Sequence, residues 1–277
     1  MIIDFHTHVF PSRLRDNRPL YADRDPSFAA LYADAKARLA TAEELLARMD
    51  GDGVDRAVIT NYGWTDPELL KETNDYIREA VVRFPERLVG FCAVPLDSPE
   101  NAVAEIERCA GPGIKGVGEL RLDLASANLP ATLPPVIAAL RHHGLLLLLH
   151  VSEPVGHDYP GKGSATPERL YPLLARFPEQ TFICAHWGGG LPFYALMPEV
   201  KAGLSNVYFD TAASPFLYQP GIYRAVNDIV GAEKILFGSD YPLLPPSRYF
   251  REIQAAALTD AARKLILGEN ARRLLGI

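Results

Sequence analysis

The sequence predicts a (β/α)8 barrel, a single domain spanning residues 1–277. Three observations carry that prediction. Eight short, near-continuous apolar and β-branched runs are spread along the chain, as buried parallel strands require. Helical patterns fill the gaps between them. The spacing is roughly 30 residues, the size of one βα unit in a fold of typically ~250 residues. An open, doubly wound sheet is the alternative, but no GxGxxG opens a helix after an early strand, which weakens its dinucleotide-binding form.

The elements follow in order. The first strand covers residues 2–6 (IIDFH). If it stays extended to residue 8, His6 and His8 leave the same face, roughly 6.6 Å apart along the backbone. A metal ion between the two rings explains that arrangement; the plainer reading is two polar residues at a strand end, satisfied by backbone or water. Residues 9–40 form the one irregular interval, an insertion expected to cap the barrel mouth. Its Arg13, Arg15, Arg18 and Arg24 read as a solvated loop, with a substrate role for one of them as the alternative. The helix TAEELLARMDGDG (41–53) opens with Thr41 as N-cap, completes a capping box with Glu44 and ends in glycine. Further strands are RAVITN (56–61), LVGFCAV (88–94), IKGVGEL (114–120), LLLLLH (145–150), TFICAH (181–186), VYFDTA (207–212) and ILFGSD (235–240). Helices are expected at 66–83, 99–110, 131–143, 166–177, 191–202, 220–230 and 259–275. His142 and His143 close one of these just before Gly144, an ordinary cationic helix end.

Composition narrows the function. With 48% hydrophobic and 22% charged residues, the chain falls among soluble globular proteins and is long enough for a sizeable core. Its net charge of −6, with basic residues scattered, offers no footprint for nucleic acid. The longest apolar run, LLLLL at 145–149, is too short to cross a bilayer. No signal-peptide pattern precedes the first strand, so a cytoplasmic location is expected. Cys92, Cys109 and Cys184 are odd in number and widely spaced, as free buried thiols are, and make neither a disulfide framework nor a CxxC site. The expected partner is a small-molecule substrate, with no nucleic acid and no membrane; a homo-oligomer is compatible with the sequence.

In a barrel, catalytic groups stand at the C-terminal ends of several strands. Strand one ends in His6 and His8, strand four in Glu119, strand five in His150, strand six in His186 and strand eight in Asp240. Four of the seven histidines therefore fall at these ends. Imidazole nitrogen with carboxylate oxygen suits zinc, manganese or iron, with positions open for water and substrate. The residues thus predict a divalent-metal enzyme, and a non-enzymatic metal-binding module is the weaker reading. Arg121 is two residues past Glu119, on the same face if the strand continues, where it would clamp a carboxylate or phosphate; a surface salt bridge is the alternative. Tyr62, Trp64, Trp187 and Tyr241 follow strand ends and either wall the pocket or pack under loops. The WGGG at 187–190 lacks the GK[ST] of a P-loop, and its glycines read as permitting close backbone approach.

The stretches DFHTHVFP, VGEL, LLLLLH, CAHWGGG, FGSDYP and ILGENARRLLGI together resemble the amidohydrolase superfamily. More specifically, they resemble the amidohydrolase-2 branch that contains the aminocarboxymuconate-semialdehyde decarboxylase-like enzymes. The resemblance implies that His6, His8, His150 and Asp240 bind a divalent metal, most readily zinc. It makes His186 a second-metal ligand or a carbonyl-polarising residue. Binuclear members of the superfamily carry a bridging carboxylate at the end of strand four, where Glu119 stands, and GVGELRLD also resembles that stretch of the TatD-type hydrolases. In the decarboxylase-like members one metal suffices. The alternative for Glu119 is a carboxylate that orients a histidine ligand. Lys115 lies deeper on the same strand and is the weaker bridge.

The expected chemistry is metal-assisted hydrolysis of a small ester, lactone or amide carbonyl. Bound water reaches a pKa of about 7 on such a metal, Asp240 takes its proton, and the metal or His186 stabilises the oxyanion. The alternative is a metal-dependent, non-oxidative decarboxylase of a small aromatic or unsaturated carboxylic acid. A TatD-like nuclease shares the ligands, but the acidic chain has no basic stripe for a polynucleotide.

Overall fold

The leucine run at 145–149 shows how one strand serves two cores. Leu145, Leu147 and Leu149 pack outward among residues of the surrounding helices, whereas Leu146 and Leu148 pack inward with Phe5, Phe91 and Ile183 from other strands. Alternation of this kind, apolar on both faces, is what a parallel strand covered by helices and closed into a barrel demands. The computed structural model, which describes residues 1–277, has that architecture.

The strands are β1 (Ile3–His8), β2 (Arg56–Thr60), β3 (Leu88–Cys92), β4 (Ile114–Leu120), β5 (Leu146–Leu149), β6 (Phe182–Cys184), β7 (Val207–Asp210) and β8 (Ile235–Leu236). They pair in parallel in sequence order from β1 to β8. The chain beyond β8 returns to β1: Phe5 N–H donates to Phe237 O at 2.7 Å, Asp240 N–H to His6 O at 2.9 Å and His8 N–H to Tyr241 O at 2.7 Å. The interior is filled by Ile3, Phe5, Val58, Phe91, Leu148 and Ile183, and Ala271 and Leu275 of the C-terminal helix join this cluster.

The helices, in order, are α1 (Ser12–Asp16), α2 (Arg18–Arg24), α3 (Pro26–Tyr32), α4 (Ala42–Asp52), α5 (Pro67–Arg83), α6 (Pro99–Cys109) and α7 (Leu129–His142). They continue with α8 (Pro167–Arg176), α9 (Pro198–Gly203), α10 (Ser214–Leu217), α11 (Gly221–Val230), α12 (Pro246–Ala255), α13 (Asp260–Lys264) and α14 (Asn270–Leu275). The capping box of α4 is formed as expected by Thr41 and Glu44, and α7 ends at His142 with His143 as its C-cap. The three cysteines are free and buried.

Four elements depart from the sequence reading. The insertion is not a solvated loop, because it folds into α1–α3. There Phe28 stacks on Trp64 at 4.8 Å, and buried Asp25 accepts hydrogen bonds from Phe28 N–H and from the Thr65 and Asp66 N–H groups. The helix expected at 191–202 gives way to 3₁₀ turns over His186–Leu196 followed by the short α9, because residues 187–190 all take positive φ, from 57° to 92°. A side chain at Gly188 would meet the Phe209 ring, and one at Gly189 would meet the Ser152 carbonyl, so the close approach expected of these glycines is present. The helix expected at 259–275 is present as one unbroken run, α13, a π turn over Leu265–Glu269 and α14. Strand eight is regular only over Ile235–Leu236, since residues 237–241 bond irregularly to β1. The helix α12 has no counterpart in the sequence reading.

Candidate active site

Each chemical residue read from the sequence lies at the same end of the barrel. His6 and His8 end β1, Glu119 stands near the end of β4, and His150 directly follows β5. His186 lies just beyond β6, and Asp240 comes off the segment that closes β8 against β1. All six are drawn into one cluster: five of them fall into two groups that share Glu119, and Asp240 lies beside the first.

In the first group, His6 Nε2 and His8 Nε2 are 3.2 Å apart. Asp240 Oδ1 lies 3.2 Å from His8 Nε2 and 3.9 Å from His6 Nε2. Glu119 Oε2 lies 3.7 and 3.8 Å from the same two nitrogens. In the second group, Glu119 Oε1 is 2.9 Å from His150 Nδ1 and 3.1 Å from His186 Nε2, and those nitrogens are 3.2 Å apart. Two imidazole nitrogens on a tetrahedral ion, each at about 2.0–2.1 Å, stand about 3.3 Å from one another. The donor set therefore fits a divalent cation at either group.

Outer partners fix the rings. Asp210 Oδ2 is 2.8 Å from His6 Nδ1, so a proton on Nδ1 leaves the Nε2 lone pair facing the cluster. The other oxygen of Asp210 accepts the His186 and Ala212 N–H groups at 3.0 Å each. His186 Nδ1 faces the Ala212 carbonyl at 3.1 Å. Ser152 Oγ lies 3.3 Å from His150 Nε2 and accepts Gly163 N–H at 2.8 Å. Asp210 and Ser152 were missed in the sequence. Asp210 had a usable signal, since VYFDTA places it at a strand end like the others, but it lacked a histidine neighbour to draw attention.

Burial and charge compete at every one of these groups. Burial alone would lower the His6 pKa, yet Asp210 and Glu119 hold it well above the usual imidazole value. At His150 burial wins over Glu119 and brings it down to about 4. At His186 burial is outweighed by Glu119, which raises it to about 9. Burial opposes ionisation of Glu119 and Asp240. The charges of His150 and His6 nonetheless hold Glu119 well below the carboxylate range, and the hydrogen bond and charges of His8 and His6 bring Asp240 to about 2. Without a cation, the cluster is thus a set of carboxylates sharing protons with imidazoles.

The cluster is the floor of a cavity of about 440 Å³. Its walls carry Leu31, Tyr32 and Arg38 from the insertion, Tyr62, Arg121, Phe216 and Leu243, and His157 and Tyr159 from the loop after β5. Arg121 is not in a surface salt bridge: it lines the cavity and donates to the Gly161 carbonyl. Of the four aromatics singled out, Tyr62 lines the cavity. Trp64 packs on Phe28, Trp187 is buried with its indole N–H on Ser214, and Tyr241 is half-buried off the cavity wall. The arginines of the insertion are elsewhere. Arg13 pairs with Glu72, Arg15 with Asp16 and Glu44, and Arg24 with Asp66 and Glu68, while Arg18 bonds the Asp34 carbonyl. None of the four lines the cavity.

The Amidohydrolase family model matches residues 3–277. The chain belongs to the amidohydrolase family. It is 22% identical to a 2-amino-3-carboxymuconate-6-semialdehyde decarboxylase of Dictyostelium discoideum, over 99% of this chain and 91% of the relative. It is 26% identical to an L-fucono-1,5-lactonase of Burkholderia ambifaria, over 98% and 90%. Its fold matches a dihydroxybenzoic acid decarboxylase of Polaromonas, solved with manganese and 2-nitroresorcinol, with a TM-score of 0.75 at 20% identity over 99% of this chain and 96% of the other. Decarboxylases thus stand among both the sequence relatives and the structural neighbours, and the hydrolase expectation has the lactonase on its side. No helix is long and apolar enough to cross a membrane.

Proposed function

We propose that the protein is a divalent-metal-dependent, non-oxidative decarboxylase of a small aromatic or unsaturated carboxylic acid, working as one domain over residues 1–277. The observation that carries this reading is Arg121. It is an arginine with no carboxylate partner on the wall of a cavity with aromatic and aliphatic sides and a histidine–carboxylate floor. A planar acid matches such a site, with its ring between the apolar walls and its carboxylate on the guanidinium. The decarboxylase relatives support the same choice.

In this reading His6, His8 and Asp240 would hold the cation, joined by His150 from the second donor group, the set that the family resemblance implies. Zinc suits the nitrogen and oxygen donors, with manganese and iron as the other candidates. When bound, the ion supplies positive charge that fixes substrate oxygens and draws off electron density as the carbon–carbon bond breaks. Arg121 holds the carboxylate and sets its plane. The apolar walls exclude water, so charge on the substrate is felt strongly. His186, braced by Ala212 through Nδ1, turns Nε2 to the cavity and is placed to deliver a proton there. The bond to the carboxylate breaks, its electron pair stays on carbon, carbon dioxide leaves, and that carbon takes the proton.

A second reading, hydrolysis of an ester, lactone or amide carbonyl, rests on Glu119. Its two oxygens face the two donor groups separately, as a carboxylate shared by two cations about 3.5–4 Å apart would. His150 and His186 would then serve the second cation, and Asp240 would take the proton of the attacking water. One panel tests both readings on metal-replete protein: hydroxybenzoates and unsaturated acids followed by carbon dioxide release, and lactones, esters and amides followed by acid release. Carbon dioxide from an acid supports decarboxylation. Acid release from a lactone, with no carbon dioxide from any acid, overturns it in favour of hydrolysis.

A further inference from the structure

Asp240 takes a left-handed backbone conformation, with φ 58°. That conformation is uncommon for a residue with a side chain and persists where the surroundings fix it. Here both peptides that precede Asp240 are held. Asp4 Oδ1 accepts Ser239 N–H at 2.9 Å, and the same oxygen accepts His6 N–H at 3.3 Å. The Tyr249 hydroxyl of α12 donates to the Ser239 carbonyl at 2.6 Å. The N–H of that second peptide is Asp240's own, and it donates to His6 O at 2.9 Å. Beyond it, the Asp240 carbonyl accepts Leu243 N–H at 2.8 Å. Tyr249 is fully buried, packs its ring edge-on against Phe237 and does not line the cavity.

We infer that Tyr249 is a positioning residue for Asp240, holding the turn that aims its carboxylate at the first donor group. The inference rests on the reading of Asp240 as a ligand of the cation. An aspartate side chain is short, so its carboxylate goes where the Cα–Cβ bond points. The Ser239–Asp240 peptide is held at its oxygen by Tyr249 and at its nitrogen by His6, and φ then sets that direction alone. The left-handed φ brings Oδ1 to 3.2 Å from His8 Nε2. A right-handed φ, near about −60°, would swing Cβ by about 120° around the N–Cα bond. Without the hydroxyl the peptide keeps one hold of its two, and its buried carbonyl loses its acceptor's partner. The helix α12, absent from the sequence reading, thereby has a part in the site.

Competition with a chelating dye for cobalt(II), together with the visible absorption of the bound ion, tests this without relying on turnover. Tyr249→Phe keeps the buried ring and removes only the hydroxyl. It should weaken cobalt binding about tenfold, the low end for the lost support of a ligand, and change the absorption band. Tyr223→Phe is the control. It removes a buried hydroxyl of the same core cluster that has no hydrogen-bond partner, and should leave both readouts unchanged. Asp240→Asn should itself weaken cobalt binding, and adding Tyr249→Phe to it should cost nothing further, as coupled residues require. Wild-type affinity and spectrum in Tyr249→Phe, an equal loss in Tyr223→Phe, or a full further loss in the double variant overturns the inference. Failure of the ligand reading shows differently, as undiminished cobalt binding by Asp240→Asn, and takes the inference with it.

Discussion

The floor and the rim of the cavity are built on different principles. On the floor, His6, His150 and His186 each have a partner beyond the cluster, in Asp210, Ser152 and the Ala212 carbonyl. Their backbones belong to strands or to the residues just beyond them. On the rim, Arg38 and His157 come from exposed connecting segments and their side chains bond nothing. Arg121 lies between the two, rooted beside β4 but bonded to the loop carbonyl of Gly161. The contrast assigns chemistry to rigid elements and selection to loops, the division expected of a barrel whose loops vary on a fixed frame.

Substitutions can break that contrast at several depths. The largest effect is expected at Asp240. Asp240→Asn should lower turnover on the order of 10³-fold, since it removes a cation ligand in the decarboxylase reading and the base in the hydrolase reading, and His8→Ala should sharply lower the metal content by elemental analysis. Glu119→Gln comes next and also separates the two readings of the site. If Glu119 is shared by two cations, the variant should drop from near two metals per chain to near one and lose most activity; a wild-type protein with one metal and an active Glu119→Gln variant would fit the decarboxylase instead. Asp210→Asn touches no cavity atom but removes the acceptor of His6 Nδ1. It should weaken metal affinity about 10- to 100-fold at unchanged fold, measured by competition with a chelating dye. Asp25→Ala acts on the rim. Loss of its buried bonds to Phe28, Thr65 and Asp66 should cost about 2–3 kcal/mol in denaturant unfolding and hasten protease cleavage within residues 9–40. The smallest effect belongs to Arg13→Ala, which removes an exposed pair with Glu72 and should change stability by no more than about 1 kcal/mol, with no change in turnover.

The floor could be read in the sequence because strands carry their own ruler. A histidine or carboxylate at the end of an apolar run is placed by the run, so His6, His8, Glu119, His150, His186 and Asp240 could be gathered without any contact information. The rim has no such period. Nothing in HDYPGKG at 157–163 says that His157 and Tyr159 fold back over the cavity, or that Arg121 reaches Gly161. In the insertion the arginines drew notice by number, yet four of them stay on the surface and Arg38, less conspicuous, lines the cavity. The WGGG stretch reads as close backbone approach but not as the reason a helix fails, because nothing in the sequence says that His186 and Trp187 share the positive φ of the three glycines after them.

The bond between His6 and Asp210 joins residues 204 positions apart, and that from Ser239 N–H to Asp4 joins residues 235 apart. A chain emerging from the ribosome therefore displays its paired histidines long before the carboxylates that orient and complete them have been made. Contacts of such long range form late and at high entropic cost. Until both ends of the polypeptide have met, His6 and His8 are only a weak, solvent-exposed pair of imidazoles. Tight capture of a cation is thus expected to report that synthesis and closure of the barrel are finished, and by mass action the captured ion would hold the closed form together.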